Sequence, residues 1–250
     1  MKVSIITATY NSFSSLTSCM ESVLSQNYGD IEYIIIDGGS KDLTLTKVQH
    51  YQAKHKHIKL VSEADTGIYD ALNKGVALAT GDIIGFVHSD DMLASTTIIS
   101  ELVLVFKTQQ ADGVYGDLNY VSKTDIVNII RRWKSCTFSK HLLKKGWMPA
   151  HPTLFLKKEV YQKHGYFNLD FKISADYDFM LRILIDESLK FAYLSKIISI
   201  MRIGGASNRS LKNILLKSKE DYKAIKKNGI GGVYTLFLKN TSKIKQFFGT

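Results

Sequence analysis

Short apolar runs alternate with amphipathic segments along the first part of the chain. The apolar runs have the length and the β-branched content of strands that are buried on both faces of a sheet. The segments between them repeat apolar residues at the spacing of a helix that packs on a core. The predicted strands are 3–8, 31–36, 58–61 and 82–87, and the predicted helices are 14–26, 43–54 and 67–79. This alternation predicts an α/β fold with a mostly parallel sheet and helices on both faces.

The alternation becomes less regular in the second part of the chain. The predicted elements there are helices over 95–106, 137–145 and 175–187, and one or two strands over each of 118–133 and 191–202. The strands over 118–133 are expected to be antiparallel, so the sheet as a whole is expected to be mixed. Residues 148–152 hold both prolines of the chain and are predicted to form a loop.

The last part of the chain, from Arg209 onwards, is rich in lysine and keeps apolar residues at near-helical spacing. A basic amphipathic helix of this kind can lie on an anionic bilayer. An ordinary surface helix that packs on the domain has the same pattern, so the sequence leaves both alternatives open. The net charge of +10 favours anionic partners. Because the charge is concentrated in the tail and no recognition motif is present, nucleic acid is not an expected partner.

Composition narrows the class of protein further. The chain has 250 residues, of which 45% are hydrophobic and two are proline, and this composition is typical of a compact domain. Its two cysteines form no disulfide framework and have no metal-binding spacing. No apolar run approaches the roughly 18 residues that span a bilayer, and residues 1–10 are too short for a signal peptide. We therefore expect a cytoplasmic protein.

Two adjacent carboxylates, Asp90 and Asp91, directly follow the fourth predicted strand. In open α/β sheets, ligands bind just beyond the carboxyl ends of the strands. Oxygen ligands suit a hard cation such as Mg²⁺ or Mn²⁺, which in turn would hold phosphate groups. Capping of the helix that begins near Ser95 is the structural alternative for this pair.

Two other predicted strands also end in side chains that could hold a nucleoside. Asp37 ends the second strand and could accept hydrogen bonds from a base or a ribose. Tyr10 ends the first strand and could stack on a base, although each of these residue types is also common at strand ends for structural reasons. The first strand is not followed by Gly-x-Gly-x-x-Gly, and no Walker lysine is present. This argues against a dinucleotide cofactor and against ATP hydrolysis.

A second acidic cluster, Asp176 and Asp178, lies at the start of the helix predicted over 175–187. Ser174 can already cap this helix, so two carboxylates are more than the helix end needs. Residues two apart on a helix face different sides, and we expect only one of the two to line a site. Asp176 is the candidate general base for an acceptor hydroxyl. His151, in the loop with the prolines, could contact substrate or metal, or could be a buried structural histidine.

Taken together, these residues and their order resemble family 2 glycosyltransferases with the GT-A fold. The matching segments are 3–11, 37–42, 62–75, 80–91 and 174–182. The segment 63–75 is especially similar to bacterial enzymes that build O-antigen, capsule or exopolysaccharide. One departure concerns the Asp-x-Asp motif of the family, which appears here as Ser89-Asp90-Asp91. Metal binding would therefore rest on Asp91 and on phosphate oxygens.

The resemblance implies a role for each candidate residue. It implies nucleotide contacts for Thr9, Tyr10, Asp37, Asp65, Asn73, Lys74 and Asp90, a Mn²⁺ or Mg²⁺ ligand in Asp91, the catalytic base in Asp176, and acceptor-side positions for His151 and Asp178. It also implies a GT-A domain over 1–205, with a nucleotide-sugar-binding half at 1–117 and an acceptor half at 118–205. A basic, amphipathic helical tail would follow over 206–250.

The reaction implied by the resemblance is an inverting transfer from a nucleotide-diphosphate sugar, with UDP as the favoured nucleotide. The implied acceptor is a hydroxyl of a saccharide carried on polyprenyl diphosphate, reached at the inner face of the membrane with help from the tail. A sugar nucleotidyltransferase is an alternative, but residues 7–10 lack the glycine-rich phosphate loop that it needs. A non-catalytic nucleotide-sugar binder is another alternative, but it would not need Asp91 and Asp176 together.

Overall fold

A mixed β-sheet forms the centre of the protein in a computed structural model, which describes residues 1–204 and 211–242. The strands described are β1 Val3–Thr9, β2 Ile31–Asp37, β3 Ile58–Ser62, β4 Ile83–Phe86, β5 Met92–Leu93, β6 Gly113–Val121, β7 Ile129–Trp133, β8 Phe155–Lys157 and β9 Phe191–Arg202. Their order across the sheet is β3-β2-β1-β4-β8-β6-β9-β5, with β7 paired to β6. Strands β1 to β4 are mutually parallel, whereas β8 runs antiparallel to β4 and β6.

Helices cover both faces of this sheet, as expected for buried parallel strands. The helices described are α1 Leu16–Leu24, α2 Thr44–Lys54, α3 Ile68–Leu78, α4 Ile98–Gln109, α5 His141–Lys144, α6 Lys158–His164, α7 Ala175–Leu184, α8 Leu211–Lys227 and α9 Val233–Ser242. Alternate residues of β1 belong to two separate apolar clusters, Ile6 with α3 and α7 on one face and Ile5 with α1 and α4 on the other. The period-two geometry of a strand explains this division. The prediction of an α/β fold with a mixed, mostly parallel sheet is confirmed.

Several details differ from the sequence-based expectation. The short strands β5 and β8 and the helix α6 were not predicted, and residues 151–153 form a 3₁₀ turn that begins in the loop expected over 148–152. The segment 118–133 contains parts of two antiparallel strands, β6 and β7, as expected, whereas 191–202 forms one strand. Elements of only two or three residues carry no periodic pattern, which explains why β5 and β8 were missed.

The tail helices α8 and α9 pack against α7 and not away from the domain. Ala224, Ile225 and Ile230 are buried in the same apolar cluster as the residues of α7. Asp221 on α8 and Lys239 on α9 form a buried ion pair of 2.5 Å. Of the predicted tail, residues 206–210 and 243–250 lie outside the described part of the chain. No helix in the described part has the length and apolar content needed to cross a membrane.

Candidate active site

The carboxyl ends of β1, β2 and β4 meet at one edge of the sheet. Thr9 lies opposite Asp37 in the parallel register, and the Gly38 amide donates to the Thr9 carbonyl at 2.9 Å. The hydroxyls of Ser12 and Ser89 lie 2.9 Å apart and connect the loop after β1 to the loop after β4. The strand-end residues predicted to contact the nucleotide therefore share this edge, as the topology of parallel strands requires.

Asp37 is fully buried at the end of β2 and is held by two serines. Its Oδ2 atom accepts hydrogen bonds from the Ser40 amide at 3.1 Å and from the Ser62 hydroxyl at 2.7 Å. Its Oδ1 atom accepts a hydrogen bond from the Ser40 hydroxyl. Because a carboxylate has about four acceptor positions, Asp37 keeps capacity for one more donor. This arrangement fixes the buried carboxylate and leaves one of its acceptor positions unused.

The loop before α3 closes over the end of β2. The Asp65 carboxylate accepts a hydrogen bond from the Gly67 amide at 2.9 Å. A Cβ atom at Gly38 would lie 2.2 Å from Asp65 Oδ2, so the absence of a side chain at Gly38 leaves room for the Asp65 carboxylate in its present position. Asp65 is thereby brought next to Asp37, while Tyr10 remains 60% exposed at the end of β1. An exposed ring at this edge is available for stacking.

Asn73 and Lys74 on α3 are engaged in contacts that organise the surrounding loops. The Asn73 amide donates to the Phe167 carbonyl at 2.9 Å and accepts from the Phe167 amide at 3.0 Å. Lys74 Nζ donates to the Ala64 carbonyl at 3.0 Å and forms a 2.8 Å ion pair with Glu63. These contacts connect α3 to the Asp65 loop and to the segment before α7. Both side chains, which were predicted to contact the nucleotide, are thus engaged in contacts within the protein.

Asp91 is completely buried and one of its oxygens has no protein partner. Asp91 Oδ1 accepts a 3.3 Å hydrogen bond from the Arg202 amide, whereas Asp91 Oδ2 has no hydrogen-bond partner among the residues described. The guanidinium of Arg202 donates to the Asp90 carbonyl at 2.7 Å and so supports the same loop. Burial, with the negative charge of Asp90 adding to it, raises the pKa of Asp91 well above its usual range.

The loop that carries Asp90 and Asp91 has the donor chemistry of a divalent-cation site. An unpartnered buried carboxylate oxygen next to a second carboxylate is the donor chemistry that Mg²⁺ and Mn²⁺ prefer. Within residues 1–204 and 211–242, no group of three or more His, Cys, Asp or Glu side chains could hold a metal ion. The donor set of Asp91 and Asp90 fits a cation whose remaining ligands come from phosphate or water. Thr9 Oγ1, at the neighbouring strand end, is also buried without a partner in the described structure.

Asp176 lies in the first turn of α7, and a tyrosine from α3 contacts it. The Tyr69 hydroxyl lies 3.0 Å from Asp176 Oδ1 and 2.6 Å from the Ile173 carbonyl oxygen. Burial and the charge of Asp176 raise the pKa of Tyr69 well above its usual value, so the phenol remains a hydrogen-bond donor. The Asp176 carboxylate is therefore oriented by helix α3, which begins directly after the loop that carries Asp65.

Two half-buried histidines lie between the end of β4 and the pocket that Asp176 lines. The Nε2 atoms of His88 and His151 lie 2.6 Å apart, and His151 lines one small pocket together with Asp176. Burial, reinforced by His151, lowers the pKa of His88 to about 3, and burial also lowers the pKa of His151. Both rings are therefore neutral at pH 7, and one Nε2 donates to the other. His88 was not singled out in the sequence, because a lone histidine carries no periodic signal.

Tyr120 on β6 is influenced by both acidic positions. Burial raises the pKa of Tyr120, and the negative charges of Asp91 and Asp176 contribute to this rise. The Arg131 guanidinium lies 4.6 Å from the centre of the Tyr120 ring and 5.4 Å from that of Trp133. Tyr120, in the hairpin formed by β6 and β7, therefore lies close enough to both carboxylates to respond to their charges. These residues carry no local sequence signal for the site, because hairpin pairing and not a local pattern brings them there.

Asp178 faces a different direction from Asp176. It is completely buried, and it accepts hydrogen bonds from Arg182 at 3.2 Å and from Asn228 at 3.1 Å. Lys227 of α8 completes this cluster at 3.3 Å. The predicted acceptor-side residue thus faces α8 in an ion-pair cluster, because residues two apart on a helix point to different sides.

Known proteins match the sequence and the fold of this chain. The profile described as Glycosyl transferase family 2 matches residues 4–167, which is more than half of the chain. A PGL/p-HBAD biosynthesis glycosyltransferase of Mycobacterium bovis is 32% identical over 218 residues, covering 86% of this chain and 82% of the relative. Chondroitin synthase of Escherichia coli is 28% identical over 224 residues, covering 89% of this chain but 32% of the synthase.

Two solved structures show the same fold at low sequence identity. S. aureus TarS in complex with UDP-GlcNAc has a TM-score of 0.71 at 17% identity, covering 92% of this chain and 66% of TarS. The chain thus spans just under two thirds of that TarS structure. The mannosyltransferase PcManGT from Pyrobaculum calidifontis, in complex with GDP-Man and Mn²⁺, has a TM-score of 0.69 at 17% identity, covering 99% of this chain and 73% of PcManGT. Given the family match over more than half of its length, the protein belongs to glycosyl transferase family 2 and is a glycosyltransferase with the GT-A fold.

Proposed function

We propose that the protein transfers a sugar, with inversion, from a nucleotide-diphosphate donor to a hydroxyl of a saccharide acceptor. The observation that carries this proposal is the placement of Asp91 and Asp176 on either side of the His88–His151 pair. The Asp91 amide donates to the His88 carbonyl, and His151 lines a small pocket together with Asp176. An unpartnered carboxylate oxygen at one end suits a cation and diphosphate. An oriented carboxylate at the other end suits proton removal from an alcohol.

In the proposed reaction, the acceptor oxygen forms a bond to the anomeric carbon as the bond from that carbon to the diphosphate oxygen breaks. The diphosphate leaves with the bonding electron pair, and Asp176 receives the proton of the acceptor hydroxyl. Tyr69 holds the carboxylate in position during this transfer. A Mn²⁺ or Mg²⁺ ion held by Asp91, with Asp90 beside it, would supply positive charge next to the leaving diphosphate.

The proposed donor is a UDP-sugar bound at the carboxyl edge of β1 and β2. Asp37 retains acceptor capacity for the N–H group of a uracil, and the exposed Tyr10 ring can stack on the base. The fold neighbours bind UDP-GlcNAc in one case and GDP-Man in the other, so both nucleotides belong in the test. In this proposal, residues 1–117 form the donor half and residues 118–205 the acceptor half.

The proposed acceptor is a saccharide on polyprenyl diphosphate, which the enzyme reaches at the inner face of the cell membrane. Val233, Tyr234 and Phe237 on α9 are 70%, 73% and 60% exposed, and their spacing puts them on one side of the helix. Exposed lysines of α8 add positive charge that can attract anionic lipid. Tyr234→Ser combined with Phe237→Ser should therefore reduce binding to anionic vesicles. Equal binding by this variant and the wild type would overturn the membrane part of the proposal.

The test of the reaction begins with donor binding. A panel of UDP-glucose, UDP-galactose, UDP-GlcNAc and GDP-mannose, each with and without Mn²⁺, is screened by thermal shift, because ligand binding raises apparent stability. Release of the nucleotide diphosphate from the same four donors then measures turnover. We expect a Mn²⁺-dependent shift with one nucleotide class, followed by measurable donor hydrolysis.

The assignment of the base is tested by Asp176→Asn. This variant should keep the donor-induced thermal shift and lose about 10²- to 10⁴-fold in turnover. Asp170→Asn makes the same chemical change at an exposed residue before α7 and serves as the matched control. Wild-type turnover in Asp176→Asn would overturn the role of Asp176. Donor binding without turnover in the wild type would favour a non-catalytic binder.

A further inference from the structure

Glu220 on α8 has a buried carboxylate that the proposed reaction does not use. It is 7% exposed, and it accepts hydrogen bonds from three consecutive backbone amides. The Lys172 amide donates to Oε1 at 2.9 Å, while the amides of Ile173 and Ser174 donate to Oε2 at 2.8 Å and 2.9 Å. Charge-assisted hydrogen bonds of this kind are about twice as strong as neutral ones. The carboxylate therefore fixes the path of the chain over residues 172–174.

This three-residue segment leads directly into the first turn of α7, which carries Asp176. Ser174 occupies the N-cap position of α7, but its side chain makes no capping hydrogen bond. Glu220 instead brings a negative group to the positive end of this helix from 46 residues further along the chain. The start of α7 thus depends on a contact from the C-terminal part of the chain.

The same segment is held from its other side by Tyr69. The peptide N–H of Ile173 donates to Glu220, while the carbonyl of Ile173 lies 2.6 Å from the Tyr69 hydroxyl. That hydroxyl also lies 3.0 Å from Asp176 Oδ1. A shift of the Ile173 backbone would therefore change both the hydroxyl and the carboxylate that the hydroxyl orients.

We propose that Glu220 is a positioning residue for Asp176, so that turnover depends on helix α8. The proposal rests on the proposed role of Asp176 as the base. Glu220 lies outside the segment 4–167 that matches the family profile, so the profile carries no information on this contact. A displacement of about 1 Å at a reacting group can lower turnover by about 10²-fold. Loss of the three hydrogen bonds should thus affect turnover more than donor binding.

Three variants of Glu220 separate positioning from simple attachment of the tail. Glu220→Ala removes all three hydrogen bonds, whereas Glu220→Gln retains one acceptor oxygen. We expect Glu220→Ala to lower kcat for donor hydrolysis by about 10- to 100-fold, with the KM for the donor changed less than about twofold. Glu220→Gln should lie between Glu220→Ala and the wild type. Glu220→Asp keeps the charge but shortens the side chain, so its kcat should remain below that of the wild type.

A packing control and a double variant complete the experiment. Ile225→Ala removes buried apolar contacts from the same helix but leaves Glu220 in place. At a temperature where both variants are fully folded by circular dichroism, Ile225→Ala should keep kcat near the wild-type value. In an Asp176→Asn background, Glu220→Ala should cause no further loss, because its effect acts through Asp176.

The outcomes that overturn the inference differ from those that overturn the proposed reaction. Wild-type kcat in Glu220→Ala, next to an inactive Asp176→Asn, overturns only the positioning role. Equal losses in Glu220→Ala and Ile225→Ala do the same, since they would reflect general loosening of α8. Wild-type turnover in Asp176→Asn overturns the assignment of the base itself, whatever the behaviour of Glu220.

Discussion

At the scale of single residues, Asp91 combines complete burial with an oxygen atom that makes no hydrogen bond within the described structure. A buried carboxylate in this state is unfavourable, because desolvation opposes its charge and the hydrogen bond and charge of Arg202 offset only part of the cost. Such a group persists in a folded protein where it serves a ligand. We therefore expect Asp91 to lower the stability of the ligand-free protein and to strengthen the binding of its donor.

Asp91→Asn is the substitution that separates these two effects. We expect it to weaken Mn²⁺-dependent donor binding by about 10- to 100-fold, since a neutral amide is a poor ligand for a hard cation. Without donor, the melting temperature should be equal to or above that of the wild type, because a buried charge has been removed. Calorimetric titration of the donor with and without Mn²⁺, and thermal unfolding, measure the two quantities. Donor affinity that is unchanged under both conditions would argue against Asp91 as a ligand.

Tyr69→Phe removes one hydroxyl that contacts both Asp176 and the Ile173 carbonyl. We expect turnover to fall by about tenfold, because the carboxylate loses the group that orients it. The loss of stability should be about 1 kcal/mol, since one buried hydrogen bond is lost. Donor hydrolysis and urea unfolding measure these effects, with the exposed Tyr166→Phe as the control for the same chemical change. Full turnover in Tyr69→Phe would show that the carboxylate needs no such support.

At the scale of elements, one buried glutamate joins the neighbouring strands β1, β2 and β3. Glu32 on β2 receives hydrogen bonds from Lys59 of β3 at 2.5 Å and from Ser4 of β1 at 2.6 Å. The Thr80 amide, which precedes β4, donates to it at 2.8 Å. Burial alone would raise the pKa of Glu32, but these hydrogen bonds outweigh it and lower the pKa to about 2.

This low pKa predicts a specific acid dependence of stability. The unfolded carboxyl takes up a proton near pH 4.5, whereas the folded one stays ionised down to about pH 2. The contribution of Glu32 is therefore complete above pH 4.5 and is lost as the pH falls towards 2. Between pH 5 and 2, the difference in unfolding free energy between wild type and Glu32→Gln should shrink by about 2–3 kcal/mol. Urea unfolding across this range measures it, and a constant difference would contradict the prediction.

The elements differ in how far the sequence could predict them. Strands β1 to β4 follow from short apolar runs and helices α1 to α3 from apolar residues at helical spacing, and both patterns are local properties. Strand β8 could not be found in this way, because its three residues acquire their structure by pairing with β4 and β6, far away in the chain. The order β4-β8-β6 at the centre of the sheet is likewise a tertiary result.

The candidate site shows the same division. That Asp37 and Asp91 lie at one edge follows from the rule that parallel strands present their carboxyl ends together. Tyr69 and Asp176 are 107 residues apart, and His88 and His151 are 63 residues apart, so no spacing in the sequence connects them. Glu220 lies on a lysine-rich amphipathic helix, where a charged residue has the same pattern as a solvated surface residue.

At the scale of the whole molecule, the chain carries a net charge of +10, but not every lysine of the tail is on the surface. Its lysines include Lys239, which is almost completely buried and lies 3.5 Å from the centre of the Tyr177 ring. Burial lowers the pKa of Lys239, and the ion pair with Asp221 opposes this shift. Since Tyr177 directly follows Asp176, this pair joins both tail helices to the helix that carries the candidate base.

This connection predicts that the tail and the α/β domain unfold as one unit, and Lys239→Met tests it. The variant leaves Asp221 buried without its cation, which should lower the unfolding free energy by about 3–5 kcal/mol. Both tryptophans, Trp133 and Trp147, lie outside the tail, so a lower urea midpoint in tryptophan fluorescence would report loss of stability in the domain itself. Lys226→Met makes the same chemical change at an exposed position of α8 and should change stability by less than about 0.5 kcal/mol. A fluorescence midpoint that Lys239→Met leaves unchanged, while circular dichroism shows earlier loss of helix, would mean that the tail melts separately.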